Sequence, residues 1–136
     1  MAELFQFELV SPERQLLSEQ VLEVIVPGTE GEFGVLKDHS PFMSTIQAGI
    51  LKVRREQGAG LDEYFVRGGF ADVATGGLTI LAEQAIAVED LKVEHLDEQI
   101  KNAEDDVADA KDTEILRKAQ DTLARLIDIK ESLGKI

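Results

Sequence analysis

The sequence predicts a mainly β protein with an α-helical tail. An N-terminal all-β unit, a sandwich or flattened barrel, precedes a C-terminal antiparallel two-helix hairpin. Three observations carry this. All seven aromatic residues lie within the first 70 of 136 positions. The three prolines lie within the first 41, and ten of the eleven glycines at or before Gly77. The last 48 residues, Glu89 to Ile136, hold no proline, no aromatic and one glycine, while 22 of them are charged. Turn formers and aromatics suit short strands; Ala, Leu, Glu and Lys without breakers suit helices. The boundary is expected near Ile86–Asp90, dividing a β-sandwich domain at 1–87 from a hairpin at 88–136.

Phe5, Phe7 and Leu9 alternate with Gln6 and Glu8, the period of a half-buried strand. Val21–Val26 is rich in β-branched residues and ends at Pro27-Gly28. Ile50–Val53 and Tyr64–Arg67 flank Gly58-Ala59-Gly60, a hairpin signal. Gly76-Gly77 separates Phe70–Ala74 from Leu78–Ala82 in the same way. Helical crossovers are missing from this half, which argues for a sandwich or barrel over βαβ units.

In the tail, Leu96, Ile100, Ala103, Val107 and Ala110 recur at steps of four and three, one apolar stripe on one helix face. Leu116, Ala119, Leu123, Leu126 and Leu133 make a second stripe, interrupted by Lys130. Between them Lys111-Asp112-Thr113 lacks apolar residues and offers Asp112 or Thr113 as an N-cap. A short break between amphipathic helices is most simply an antiparallel turn. The span Glu89–Glu114 carries net charge −8 and Ile115–Ile136 carries +2, so each helix offers the other a complementary flank. Exposed ion pairs contribute only about 0.2–1 kcal/mol each, so such a hairpin is marginal without packing and can exchange with an extended state.

The formal charge of −13, from 14 Lys+Arg against 27 Asp+Glu, argues against a duplex-binding face and a polybasic membrane anchor. The absence of cysteine excludes disulfides, thiolate metal sites and cysteine nucleophiles, and leaves the redox compartment open. Met1–Gln6 has no cationic or apolar signal region, and no apolar run reaches membrane-spanning length. The expectation is a soluble protein on the cytoplasmic side, with no nucleic acid and no lipid insertion.

Candidate chemistry is sparse. Gly28–Gly34 has the look of a phosphate loop but lacks the Gly-Lys-Ser/Thr ending and carries Glu30 and Glu32, so it reads as a β-turn cluster. His39 and His95 lie in different halves, which argues against a metal site. Asp38-His39-Ser40 has triad residue types, but neighbouring side chains diverge. Glu104-Asp105-Asp106 lacks EF-hand spacing and reads as a solvated helix face. No catalytic residue, cofactor or metal is predicted, and the protein reads as no enzyme. What remains is Glu30–Pro41, a polar loop on a rigid scaffold, where binding residues tend to sit.

Several segments resemble the epsilon subunit of F-type ATP synthase, of the bacterial type. They are Val10-Ser11-Pro12-Glu13, Pro27–Leu36 running into His39-Ser40-Pro41, Val66–Val73 with its Gly68-Gly69-Phe70, and Leu78–Glu83 leading into the helical tail. The resemblance implies roughly ten strands in a flattened sandwich, then the hairpin. It also implies a central-stalk subunit that does no chemistry, binds the gamma subunit and sits on the c-subunit ring. Such a subunit couples ring rotation to ATP synthesis at a proton-translocating inner membrane, peripheral on its cytoplasmic face.

By the same resemblance, Glu32 and His39, with Ser11 nearby, meet the ring loops and the foot of gamma. Lys37-Asp38 departs from the family's usual Pro-Gly. A family ATP motif is degraded at Leu91–Leu96. Lys92 stands where an Asp belongs, His95 where an Arg belongs and Leu96 where an Ala belongs, so weak or absent ATP binding is expected. Arg117, Lys118, Arg125 and Lys130 have two readings: inhibitory contacts with acidic segments of the alpha and beta subunits, or a simple offset to the acidic first helix. The offset is the favoured one. A free-standing adaptor that binds partner helices is the alternative to the stalk role, and a nucleotide sensor survives only if ATP binds.

Overall fold

The computed structural model describes residues 3–37, 39–56 and 58–133. Two compact units divide between Glu89 and Asp90. In the first, ten strands form two five-stranded sheets. The strands are β1 Phe5–Val10, β2 Gln15–Val21, β3 Glu23–Gly28, β4 Gly31–Val35 and β5 Phe42–Thr45, then β6 Gly49–Arg54, β7 Asp62–Arg67, β8 Phe70–Ala74, β9 Gly77–Leu81 and β10 Gln84–Ala87. One sheet has the order β2-β1-β9-β8-β5 and the other β10-β7-β6-β3-β4.

The alternation in β1 is realised as expected: Phe5, Phe7 and Leu9 are buried and the residues between them half-buried. Their inner-face neighbours include Leu78 and Ile80, which sit beside Phe7 and Leu9 through a parallel β1–β9 pairing. Every other strand pair is antiparallel. The parallel pair needs no helical crossover because β2 to β8 form between its two strands, four of them in the opposite sheet. Val24 and Val26 of β3 with Leu51 and Val53 of β6 complete the core from that side.

The expected strand Val21–Val26 is two strands. Val21 ends β2 in one sheet, Leu22 makes a bend, and β3 begins at Glu23 in the other sheet. The predicted β-turn cluster at Gly28–Gly34 shrinks to a two-residue turn, Thr29-Glu30, because Gly31–Val35 pairs with β3 as a strand. Gly31, at φ +124°, supplies the backbone conformation that this turn requires. Both predicted hairpins form, β6–β7 across residues 55–61 and β8–β9 across Gly76. Gly69 is held at φ +97° with the Leu81 carbonyl where a Cβ would project, so the chain can enter β8 there only without a side chain.

The second unit is two helices, α1 Val93–Asp109 and α2 Thr113–Ser132, with a 3-10 turn at Val88–Asp90 before them. Asp112 is the N-cap of α2; its Oδ1 accepts from the Ile115 amide at 2.8 Å. In α1 the expected stripe appears, with Leu96 and Ala103 buried and Ile100, Val107 and Ala110 half-buried. Gln99 is buried beside it. The stripe of α2 does not break at Lys130: Ile129 is buried one position earlier and carries it on. Lys130 instead reaches α1, its Nζ 2.6 Å from Asp97 Oδ1.

Candidate functional site

The β4–β5 edge is the candidate interface. Both are edge strands, one from each sheet, and they approach through Thr29–Thr45. The two hydroxyls lie 2.6 Å apart, and the Thr29 amide donates to the Thr45 carbonyl at 3.0 Å. Alternation turns Phe33 and Val35 toward the core and leaves Glu32 exposed, opposite Pro27 in register. Glu32 forms no ion pair among the described residues. Phe33 meets Phe42 of β5 edge-on at 5.1 Å, and the His39 ring lies 5.2 Å from the Phe42 ring on the connection between the strands. The His39 amide donates to the Leu36 carbonyl at 3.1 Å, and Nδ1 lies 3.1 Å from the Ser40 carbonyl. Aromatic packing and a local turn thus fix Glu32 and His39 on one edge.

The polar loop expected over Glu30–Pro41 is therefore strand over Gly31–Val35. Asp38, with the predicted Lys37-Asp38 departure, lies outside the described residues. Lys37 pairs with Glu3 at 3.2 Å, an exposed contact of small energetic weight.

Ser11 sits elsewhere. It opens the β1–β2 turn, where its amide and hydroxyl both donate to the Arg14 carbonyl at 2.9 and 3.3 Å. In sheet order β9 and β8 stand between β1 and β5. At about 4.8 Å per strand, that separates β1 from β5 by roughly 14 Å. The structure brings Glu32 and His39 to one edge and leaves Ser11 on a separate turn.

Two exposed apolar side chains on this edge escaped the sequence reading: Leu36, 55% exposed, and Met43, 64% exposed. Met43 points away from the core, opposite Asp72. Their signal was present, as apolar residues bracketing the polar stretch, but exposure is decided by strand pairing.

At the hairpin, Leu91 is buried, Lys92 occupies the N-cap position of α1 without a side-chain cap, and His95 is exposed in the first turn. The Lys92 carbonyl accepts from the His95 amide at 3.0 Å. Of the four basic candidates on α2, Arg117 is 2.8 Å from Glu114 and 3.7 Å from Asp121, and Lys118 is 4.0 Å from Glu114, all on the same helix. The Arg117 hydrogen bond, then its charge, holds the Glu114 carboxyl below its ordinary range. Lys130 is committed to Asp97. Arg125 is exposed with no ion pair among the described residues. The complementary flanks expected from the charge bias thus yield, among the described residues, one direct pair between the helices.

Among the described residues, no group of three or more His, Asp or Glu is placed to hold a metal, and no helix is long and apolar enough to cross a membrane.

Two edge strands with a pinned carboxylate and imidazole, on a ten-stranded sandwich that precedes a helical hairpin, define a scaffold that presents a surface. A family model described as the ATP synthase delta/epsilon chain β-sandwich domain matches residues 4–88. The ATP synthase epsilon chain of Mesorhizobium japonicum is 47% identical over 133 residues, 98% of each chain. That of Parvibaculum lavamentivorans is 48% identical over 131 residues, 96% of each. Among solved structures, a chain of the Euglena gracilis mitochondrial ATP synthase, OSCP/F1/c-ring in rotational state 1, superposes with a TM-score of 0.74 at 27% identity. That match covers 98% of this chain and 82% of that one. The chain belongs to the ATP synthase epsilon chain family, and as such it is a component of the ATP synthase complex. The central-stalk role expected from the sequence stands with it.

Proposed function

We propose that the protein is the non-catalytic rotor subunit that joins the gamma subunit to the c-subunit ring on the cytoplasmic face of a bacterial inner membrane. It would pass ring rotation to the nucleotide sites through gamma. The observation that carries this is the 47% identity to an epsilon chain across 98% of the sequence, hairpin included. Glu32 and His39 on the β4–β5 edge face the polar loops of the ring, and the Ser11 turn contacts gamma or the ring at a second point. An exposed carboxylate on this edge suits the task, since a charge pair fixes register.

The hairpin offsets its own charge in this reading. Arg117, Lys118 and Lys130 have carboxylate partners within the hairpin, which supports the offset over inhibition and leaves Arg125 as the cation with most to offer the alpha and beta subunits. His95 in place of the expected Arg removes the bidentate phosphate fork, so ATP binding by the chain is weak or absent.

Co-expression with gamma tests the assignment. A stable one-to-one complex is expected; failure to co-purify favours the free-standing adaptor. Deleting residues 89–136 is expected to leave ATP hydrolysis by the assembled complex unchanged, and a marked rise would reinstate an inhibitory tail. Micromolar ATP affinity in calorimetry would contradict the third element.

A further inference from the structure

Glu32 and His39 share an edge, and what each offers there follows from its hydrogen-bonding chemistry. An ionised carboxylate only accepts hydrogen bonds. Glu32 is exposed and forms no ion pair among the described residues, so its oxygens are open to a partner. An imidazole is less simple, because either ring nitrogen can carry the proton. His39 Nδ1 lies 3.1 Å from the Ser40 carbonyl oxygen. A carbonyl oxygen has no hydrogen to give, so the proton of that bond belongs to Nδ1. In the neutral ring the other nitrogen, Nε2, then holds a lone pair. Among the described residues nothing is hydrogen-bonded to Nε2. The half-buried ring also packs against Phe42, with the two planes at 48°. The Ser40 carbonyl sets its proton and Phe42 sets its orientation.

Few charged groups stand on the surrounding elements. β5 has none, β4 has Glu32, and the next strand, β8, has Asp72 opposite Met43. Lys37, just ahead in the chain, is paired with Glu3. Among the described residues none of them forms an ion pair with His39. The two side chains therefore present a pair of acceptors, a carboxylate and a neutral imidazole nitrogen. A matching surface brings N–H donors to both, with a cationic one for the carboxylate.

We infer that the loop meeting this edge carries guanidinium, ammonium or amide donors and binds His39 in its neutral form. This rests on the proposal that the β4–β5 edge faces the ring loops. Protonation of His39 turns Nε2 from an acceptor into a donor and sets a positive charge against a cationic partner. Acid thus releases the contact at this edge.

The test is rebinding of the full-length chain to ATP synthase depleted of this subunit, across about pH 8 to pH 5, the interval in which imidazoles change charge. Loss of one hydrogen bond should weaken binding about fivefold or more toward the acid end, in step with the His39 ring signals of the labelled chain. His39→Gln keeps an acceptor without a titrating group, so it should bind well throughout. His39→Phe keeps a ring for Phe42 but no acceptor, so it should bind weakly throughout. His95→Gln, at the chain's other histidine, should leave the pH dependence in place. Nitrogen shifts of the isolated chain should put the neutral ring's proton on Nδ1. A proton on Nε2, or a pH profile that His39→Phe shares with the unaltered chain, would overturn the inference. Cross-linking from Glu32→Cys separates the two levels. An assembled enzyme without a product to the ring removes the edge assignment itself, whereas a product together with unaltered binding by His39→Phe removes only the donor-bearing partner.

Discussion

The two units solve the same problem, hiding apolar surface, with unequal means. The sandwich buries Phe5, Phe7, Leu9, Leu78 and Ile80 on β1 and β9 alone, each nearly or fully inaccessible. The two helices together bury Leu96, Ala103, Leu126, Ile129 and one glutamine. Full burial of a large apolar side chain is worth about 1.5–3 kcal/mol, so a single pair of adjacent strands matches the whole helical contribution. Register in the sandwich is fixed by backbone pairing as well as by side chains. In the hairpin a dilute apolar seam and, among the described residues, one direct ion pair between the helices, Asp97–Lys130, do that work. Short helices are marginal without packing. The contrast fits a rigid part that locates an interface and a lightly held part whose structure responds to small changes in charge.

The largest effect belongs to the sandwich. Phe7→Ala empties a fully buried site and should cost about 3–5 kcal/mol, read as a lower denaturant midpoint. A cost below about 1 kcal/mol would erase the distinction between the units. In the hairpin, Asp112→Ala removes the cap of α2 and should cost about 0.5–2 kcal/mol. Helical circular dichroism should show it first, with the near-ultraviolet signal of Tyr64 unmoved.

A double-mutant cycle on Asp97→Asn and Lys130→Gln should return a coupling of about 0.2–1 kcal/mol that shrinks with added salt. Coupling well above that range would mean that the hairpin is latched, not loosely held. The smallest effect is at Glu114, whose carboxyl is depressed by the Arg117 hydrogen bond. A depressed carboxyl stabilises the fold above its unfolded pKa, and that support disappears as pH falls through the folded value. Carboxyl chemical shifts should therefore show Glu114 titrating at lower pH than free glutamate, and Arg117→Gln should restore the ordinary value.

What could be read from the residues follows the sheet order. The strands visible in the sequence are β1, β3, β6, β7, β8 and β9, the six interior strands. Those that were not visible are β2, β4, β5 and β10, the four edges. Interior strands pack one face on the core and carry clear alternation or β-branched runs; edge strands do not need to. β2 turns Glu19 inward opposite Phe7 and pairs its charge with Arg55, an arrangement no local pattern announces. β4 contains two glycines and passes for a turn, while β5 and β10 are four residues long. The count of roughly ten strands came from the family resemblance. Glu32 and His39 were singled out the same way, whereas the Phe33–Phe42 contact that orders their edge depends on two strands from different sheets meeting. Ser11 was expected nearby; it lies on the β1–β2 turn, in the sheet that does not contain β4.

The central claim is that the β4–β5 edge faces the ring in the assembled complex. Because the chain has no cysteine, Glu32→Cys places a single thiol on that edge. The measurement is cross-linking from this thiol to cysteines placed in the polar loops of the c subunits, within the assembled ATP synthase. A covalent product between this chain and a c subunit, with hydrolysis blocked until the bond is reduced, is the predicted result. An assembled, active enzyme in which the thiol reacts with soluble reagent yet never joins a c subunit would contradict it.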